Sequence, residues 1–188
     1  MGDTLVGKTF IINSLLGNSF KDCQGLQTLG IENFIDNFVI NDRIYKFKIL
    51  DTAGTKVYRK ISNSYIPYSD AIILVFSFDR RNSFDELKDF INMIREQINI
   101  EETVKFILGN KNDINEKERE ISREEGELFA EQNNCEYFEV SAKTGYNIRE
   151  VFFQLYIDIY NLKVLKEKKF LSKFNKNINN ILYKYINV

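Results

Sequence analysis

Gly2-Asp3-Thr4-Leu5-Val6-Gly7-Lys8-Thr9 satisfies the pattern G-x-x-x-x-G-K-T. In that pattern the glycines let successive backbone N–H groups curl around phosphate oxygens. The lysine reaches the β and γ oxygens, and the threonine hydroxyl coordinates Mg²⁺. A helix starting at Thr9 would aim its unpaired N–H groups at the same charge. The ordinary alternative is a glycine turn ahead of a helix. Asp51-Thr52-Ala53-Gly54 is a second constellation: Asp51 can hold Mg²⁺ through a water, and the Gly54 N–H can meet a γ-phosphate oxygen. Alone, D-x-x-G is equally well an acidic turn. In Asn110-Lys111-Asn112-Asp113 the Asp113 carboxylate can accept from the ring N–H and the exocyclic amine of guanine, which adenine cannot match. The Lys111 stem can cover a ring face, and Asn110 can tie neighbouring loops together. In Ser141-Ala142-Lys143 the Ala142 N–H could meet the guanine carbonyl oxygen, with Lys143 packing alongside.

These residues need a scaffold. Phe10 to Leu16 reads as a short helix stopped near Gly17, and residues 17–31 as a loop. Phe34–Ile40 and Ile44–Leu50 read as a hairpin turning at Asn41-Asp42-Arg43. Ala71–Phe76 and Val104–Leu108 are apolar runs suited to buried strands, and Tyr137–Val140 is a third. Phe84, Leu87, Ile91, Ile94 and Ile98 recur at helical spacing; residues 121–133 form an acid-led helix; Ile148 to Ile159 carry the stripe of a closing helix. Strands alternating with helices predict a three-layer α/β domain, a mostly parallel sheet with an antiparallel edge, and ligands at the strands' carboxyl ends. A buried strand should also precede the phosphate loop, yet only Met1 stands before Gly2. The sheet is therefore expected to lack its first central strand, which would leave two parallel neighbours unpaired. A start codon assigned too late, or a shortened chain, is the expected reason.

The chain has 188 residues, 44% hydrophobic and 28% charged, which describes a folded globular protein rather than a disordered one. A formal net charge of -1 argues against a basic nucleic-acid binder. The charge is divided: residues 162–188 hold seven lysines and only Glu167 as an acid, so the remainder is strongly acidic. No histidine is present, which excludes Ser-His-Asp and Cys-His catalysis and histidine zinc sites. Cys23 and Cys135 make no disulfide framework, so a reducing, cytoplasmic setting is expected. Neither a signal-peptide pattern nor a membrane-spanning run is found.

Four such motifs in this order make the chain resemble a small GTPase of the Ras superfamily, with the P-loop NTPase fold of small G proteins. Thr28-Leu29-Gly30-Ile31-Glu32-Asn33-Phe34 and Asp51-Thr52-Ala53-Gly54 resemble switch segments of the Rab subfamily. Ser64-Tyr65-Ile66-Pro67-Tyr68 and the run from Glu124 to Asn147 are most similar to its Golgi-trafficking branch. The resemblance covers residues 2 to about 160 and implies a GTPase domain over 1–161, with 162–188 as a basic extension. It implies a GTP/GDP switch with Mg²⁺ held by Thr9, Thr28 and Asp51, and a catalytic set of Lys8, Thr28 and Thr55. It also implies Phe20 against the guanine ring, although Phe20 could equally be core. Residues 22–34 and 55–68 would meet an exchange factor, a GTPase-activating protein and effectors of vesicle traffic. A monomer is expected, peripheral on Golgi or other endomembranes, with no nucleic-acid partner.

The chain departs from that pattern at several points. Thr55 stands where the family has the glutamine that orients the attacking water, so slow hydrolysis is expected. Leu5 is bulky for its loop position, and Leu50 replaces a tryptophan between the switches. No cysteine follows Cys135, which excludes prenylation of this sequence. Leu171, Phe174, Ile178, Leu182 and Tyr185 recur at helical spacing among lysines, as in a basic helix lying weakly on an anionic membrane. A packed extension or a disordered tail is the favoured reading of the same residues. The alternative functions are a non-hydrolysing, nucleotide-dependent scaffold or a truncated, non-functional fragment.

Overall fold

A computed structural model describes residues 1–20, 27–98 and 103–186, with side chains described through 172. Helix α1 (Lys8–Leu15) is followed by strands β1 (Ile31–Ile40) and β2 (Arg43–Thr52). A 3₁₀ turn, helix α2 (Arg59–Tyr65) and a second 3₁₀ turn (Ile66–Tyr68) lead to β3 (Ala71–Ser77). Helices α3 (Arg81–Asp85) and α4 (Leu87–Gln97), β4 (Val104–Asn110), α5 (Arg123–Gln132), β5 (Glu136–Glu139) and α6 (Ile148–Ile186) complete the order. No helix among the described residues is long and apolar enough to cross a membrane.

The hairpin turns tightly at Asn41 and Asp42, both with positive φ (50° and 59°), the twist a two-residue loop needs. Its strands pair antiparallel from Ile31↔Thr52 to Ile40↔Arg43, so β1 begins three residues before the expected Phe34. β3, β4 and β5 pair in parallel, in that order. The expected single sheet is therefore two: the hairpin and the parallel strands share no ladder, because no strand joins β2 to β3 among the described residues. Met1 alone takes that place, its nitrogen donating to Ile73 O (2.6 Å) and its carbonyl accepting from Val75 N (2.8 Å).

Apolar clusters cover both faces of the parallel sheet, so the molecule is three-layered. One packs Leu74, Phe76 and Ile107 against Phe84, Leu87, Ile91 and Ile94. The other packs Val75, Phe106 and Leu108 against Ile11, Val151, Phe152 and Leu155. The helix expected over 84–98 is two helices meeting at Glu86, and Ile98 lies past the end of α4 in extended backbone. Ser122 and Glu125 form a capping box that starts α5. The hairpin docks on α6 through aromatic rings: Phe47 stacks on Tyr156 (4.0 Å between centroids) and Phe38 meets Phe153 (5.3 Å).

In residues 162–188, α6 continues to Ile186 without a break at residue 161. No glycine or proline lies between Ile148 and Ile186 to stop it. Of the expected apolar stripe only the Leu171 side chain is described, and it is exposed; Phe174, Ile178, Leu182 and Tyr185 lie beyond the described side chains. Cys135 is a free thiol, whereas Cys23 falls in 21–26, outside the described residues.

Candidate functional site

The loop from Gly2 to Gly7 closes onto α1, whose first turn begins at Gly7 (φ 93°) with no side-chain cap, leaving its N–H groups open. Lys8 folds back across the loop, its ammonium donating to Gly2 O (2.9 Å) and Asp3 O (2.6 Å). Burial pushes that ammonium down to about 8, against the pull of the Asp51 and Asp3 charges. The loop is held from two sides. A Cβ on Gly2 would stand 2.1 Å from Val75 O, and one on Gly54 would stand 2.4 Å from Asp3 C and Thr4 N. Both approaches require glycine. Val6 is fully buried, while Leu5 adopts φ 60° and turns its side chain to solvent, so its bulk does not enter the loop.

Beside the loop, three hydroxyl and carboxylate groups converge. Thr9 Oγ1 donates to Asp51 Oδ2 (2.5 Å), Thr28 Oγ1 donates to the same oxygen (3.2 Å), and the two hydroxyls are 2.9 Å apart. Asp51 is 2% exposed, yet its Oδ1 has no hydrogen-bond partner. A buried carboxylate oxygen left unpaired is costly unless a cation or water meets it. Two hydroxyls and one carboxylate also suit Mg²⁺, which keeps several waters and takes its other ligands from phosphates. Accordingly, no cluster of three His, Cys, Asp or Glu is found among the described residues. Thr28 thus meets Thr9 although residues 21–26 between them lie outside those described. Thr55 does not join this group: it caps the 3₁₀ turn Lys56–Tyr58, and its Oγ1 is enclosed with no hydrogen-bond partner.

A third corner forms at the ends of β4 and β5. The buried Asn110 donates from Nδ2 to Val6 O (2.8 Å) and accepts at Oδ1 from Ala142 N (3.0 Å), which ties the phosphate loop to the Ser141–Lys143 segment. The Ala142 N–H, expected to face a guanine carbonyl, is therefore engaged by Asn110. Asp113 accepts from Ser141 Oγ (2.6 Å) and pairs with Lys143 (3.3 Å). Partial burial pushes its carboxyl up, but the bond from Ser141 and the pairing with Lys143 outweigh this and hold it below the ordinary value. It is thus kept as an anionic acceptor. Phe20, half exposed, rests on Phe10 (4.6 Å between centroids) instead of in the core.

Two residues after β3 were not foreseen. Arg80 donates to Thr4 O and pairs with Asp3 Oδ2 (3.0 Å), clasping the phosphate loop from behind. Asp79 receives the Lys111 ammonium at 2.8 and 3.0 Å, which fixes the stem of that lysine. Desolvation raises the Asp79 carboxyl, but the hydrogen bonds and charge of Lys111 pull it down, and the net shift is downward. Their place directly beyond a buried parallel strand, where ligand loops gather, was the available signal.

A family model described as Ras family matches residues 1–161. The chain is 33% identical over 192 aligned positions to the Ras-like protein rasU of Dictyostelium discoideum, covering 97% of this chain and 88% of that protein. It is 34% identical to the Ras-related protein Rab-8A of Pongo abelii over 159 positions, 85% of this chain and 75% of that one. It is also 34% identical to the Ras-related protein RABC2a of Arabidopsis thaliana over 169 positions, 89% and 79% of the two chains. The rasU match covers 97% of this chain and so extends past residue 161 into the basic extension.

Proposed function

The chain belongs to the Ras family of small GTPases, with the α/β P-loop NTPase fold and the guanine-nucleotide chemistry that membership implies, and from this premise we propose that it is a Rab-like GTP/GDP switch of vesicle traffic whose own hydrolysis is slow. The observation that carries the reading is the convergence of Thr9, Thr28 and the unpaired Asp51 Oδ1 beside the phosphate loop. Thr9, Thr28 and Asp51 would hold Mg²⁺, which supplies charge neutralisation at the nucleotide's terminal phosphates. Lys8 trades its two loop carbonyls for phosphate oxygens, and the open amides of α1 meet the same charge. Asp113, kept ionised, accepts the two N–H donors of guanine, and Lys111, anchored on Asp79, covers the ring. Phe20 would flank the base from the other side.

Thr28 in one switch and Gly54 in the other both adjoin the phosphate site. Exchange factors, activating proteins and effectors would read residues 22–34 and 55–68, where Leu29, Val57 and Tyr68 are more than two-thirds exposed. Within 162–188, exposed Leu165, Phe170 and Leu171 lie among lysines and would offer weak contact to an anionic endomembrane surface. A second reading, a nucleotide-dependent scaffold that does not hydrolyse, is favoured by Thr55, whose hydroxyl is enclosed with no hydrogen-bond partner and whose side chain is shorter than a glutamine. Binding of fluorescent mant-GDP with and without Mg²⁺, competed by GDP and by ADP, tests the switch; competition by ADP as strong as by GDP overturns it. Single-turnover hydrolysis by Thr55→Gln should exceed that of the natural chain at least about tenfold, or ~1.4 kcal/mol of barrier. Equal rates refute the assignment of Thr55.

A further inference from the structure

The segment from Thr55 to Tyr68 is fixed at two points. Upstream, Gly54 lies against the phosphate loop, where a Cβ would stand 2.4 Å from Thr4 N. Downstream, Ile66 is buried in the cluster that holds Leu87, Phe90, Ile91 and Ile94. Between them stands α2, seven residues long, too short to persist on helical propensity alone. Its attachment to the body therefore decides whether it is formed. That attachment is not an apolar face, because Val57, Ile61 and Tyr65 are exposed.

Polar contacts to one face of α4 take its place. Arg59 donates to Glu86 Oε2 and lays its guanidinium over the Phe90 ring, 4.6 Å from the centroid. One turn further on, Asn63 Nδ2 meets Met93 Sδ at 3.3 Å. Glu86, Phe90 and Met93 recur at i, i+4 and i+7, and Arg59 and Asn63 at i and i+4, so one helical row lies on another. The Arg59 and Glu86 side chains are only 14% and 23% exposed, which shelters the pair from solvent. Lys56 reaches the same carboxylate at 3.7 Å but is largely exposed and adds little. Glu86 sits where α3 gives way to α4, and a carboxylate there ordinarily serves the first amides of the new helix. Here it makes no such bond and is committed to Arg59. The pair also lies close to the nucleotide site: the Lys8 ammonium, depressed chiefly by burial, is depressed further by the Arg59 charge.

We propose that Glu86 is a positioning residue for the switch, which by holding Arg59 seats α2 on α4, keeps Gly54 at the phosphate loop and so sets the preference for guanosine triphosphate over diphosphate. This role rests on the switch reading above, in which a γ-phosphate needs the Gly54 N–H in place and a diphosphate does not. A ligand that needs one arrangement of the protein binds in proportion to the population of that arrangement. Whatever unseats α2 therefore weakens triphosphate binding selectively.

The natural chain and Glu86→Gln are titrated with mant-GppNHp, a non-hydrolysable triphosphate analogue, and with mant-GDP, Mg²⁺ in excess. Glu86→Gln keeps the shape of the side chain and disturbs no helix cap, so the fold should survive. The analogue should bind the variant at least about fivefold more weakly, and GDP within about twofold of the natural chain. A general structural defect would lower both alike. In an Arg59→Gln background, Glu86→Gln should change the ratio of the two affinities by less than about twofold, since the pair acts as one unit. With GDP bound, hydrogen exchange over residues 60–65 should quicken in Glu86→Gln while that of α5 is unaltered. An unchanged ratio, equal loss for both nucleotides, additive effects in the double variant or unaltered exchange over α2 overturns the proposal. The switch reading fails separately, on the natural chain alone, if it takes up no mant-GDP or if ADP competes as well as GDP, and the role of Glu86 then falls with it.

Discussion

Arg80 offers the sharpest test of how the phosphate loop is held. Its guanidinium pairs with Asp3 Oδ2 at 3.0 Å and donates to Thr4 O, so one side chain fixes two consecutive loop residues. A hydrogen bond involving an ionised group contributes about 1.5–3 kcal/mol when sheltered. Here the side chains are 32% and 16% exposed, so solvent screening reduces the pair to ~1–2 kcal/mol. In Arg80→Ala the loop must be ordered when nucleotide binds, and the Asp3 carboxylate is left uncompensated beside incoming phosphates. Mant-GDP affinity should fall about 5- to 30-fold, the equivalent of that energy. Arg80→Lys, which keeps the charge without the planar fork, should fall between the two. The assay is equilibrium titration with Mg²⁺ in excess, alongside thermal melts to confirm folding. Affinity for Arg80→Ala within twofold of the natural chain, with an intact fold, refutes the role given to Arg80.

Asp51→Asn should make mant-GDP affinity insensitive to chelation of Mg²⁺, because the unpaired anionic oxygen is lost; a retained response to EDTA would contradict the cation assignment. Gly54→Ala places a methyl 2.4 Å from loop backbone. It should lower stability by about 1–3 kcal/mol, as overpacking does, and an unchanged denaturant midpoint would show that the contact is not close. For Lys8, with an unfolded value near 10.5 and about 8 in the nucleotide-free fold, binding needs the protonated form. Affinity should therefore decline above pH 8, approaching about tenfold per unit. Stability of the nucleotide-free protein moves the other way: between those values the unfolded chain binds more protons, so stability rises with pH until 10.5. Titrations and melts from pH 6.5 to 10 check both signs, and affinity flat to pH 9.5 would sink the assignment.

Local chemistry was the legible part of this sequence. The phosphate-loop spacing, the apolar runs of β3 and β4, and the asparagine-aspartate hairpin turn each carry their instruction within a few residues. Relations across the fold were not legible. Nothing local tells Arg80 to bond Thr4, because that contact depends on how β3 delivers the residues that follow it beside a loop seventy-six positions away. The separation into two sheets depends on what stands between β2 and β3, which neither strand encodes. The break at Glu86 was masked because Phe84 and Leu87 keep helical spacing across it. The length of α6 was underread because a lysine- and asparagine-rich stretch resembles a solvated tail, although it contains no residue that stops a helix.

The Asn110 side chain, shared between Val6 O and Ala142 N, has a further effect. It makes one amide group the common hinge pin of phosphate and base recognition. A nucleoside without phosphates, or pyrophosphate without a base, must each organise both halves of the pocket alone. The intact nucleotide incurs that ordering cost once, so its affinity should exceed the product of its fragments' affinities. Loosening the pin would shorten nucleotide residence more than it weakens either fragment.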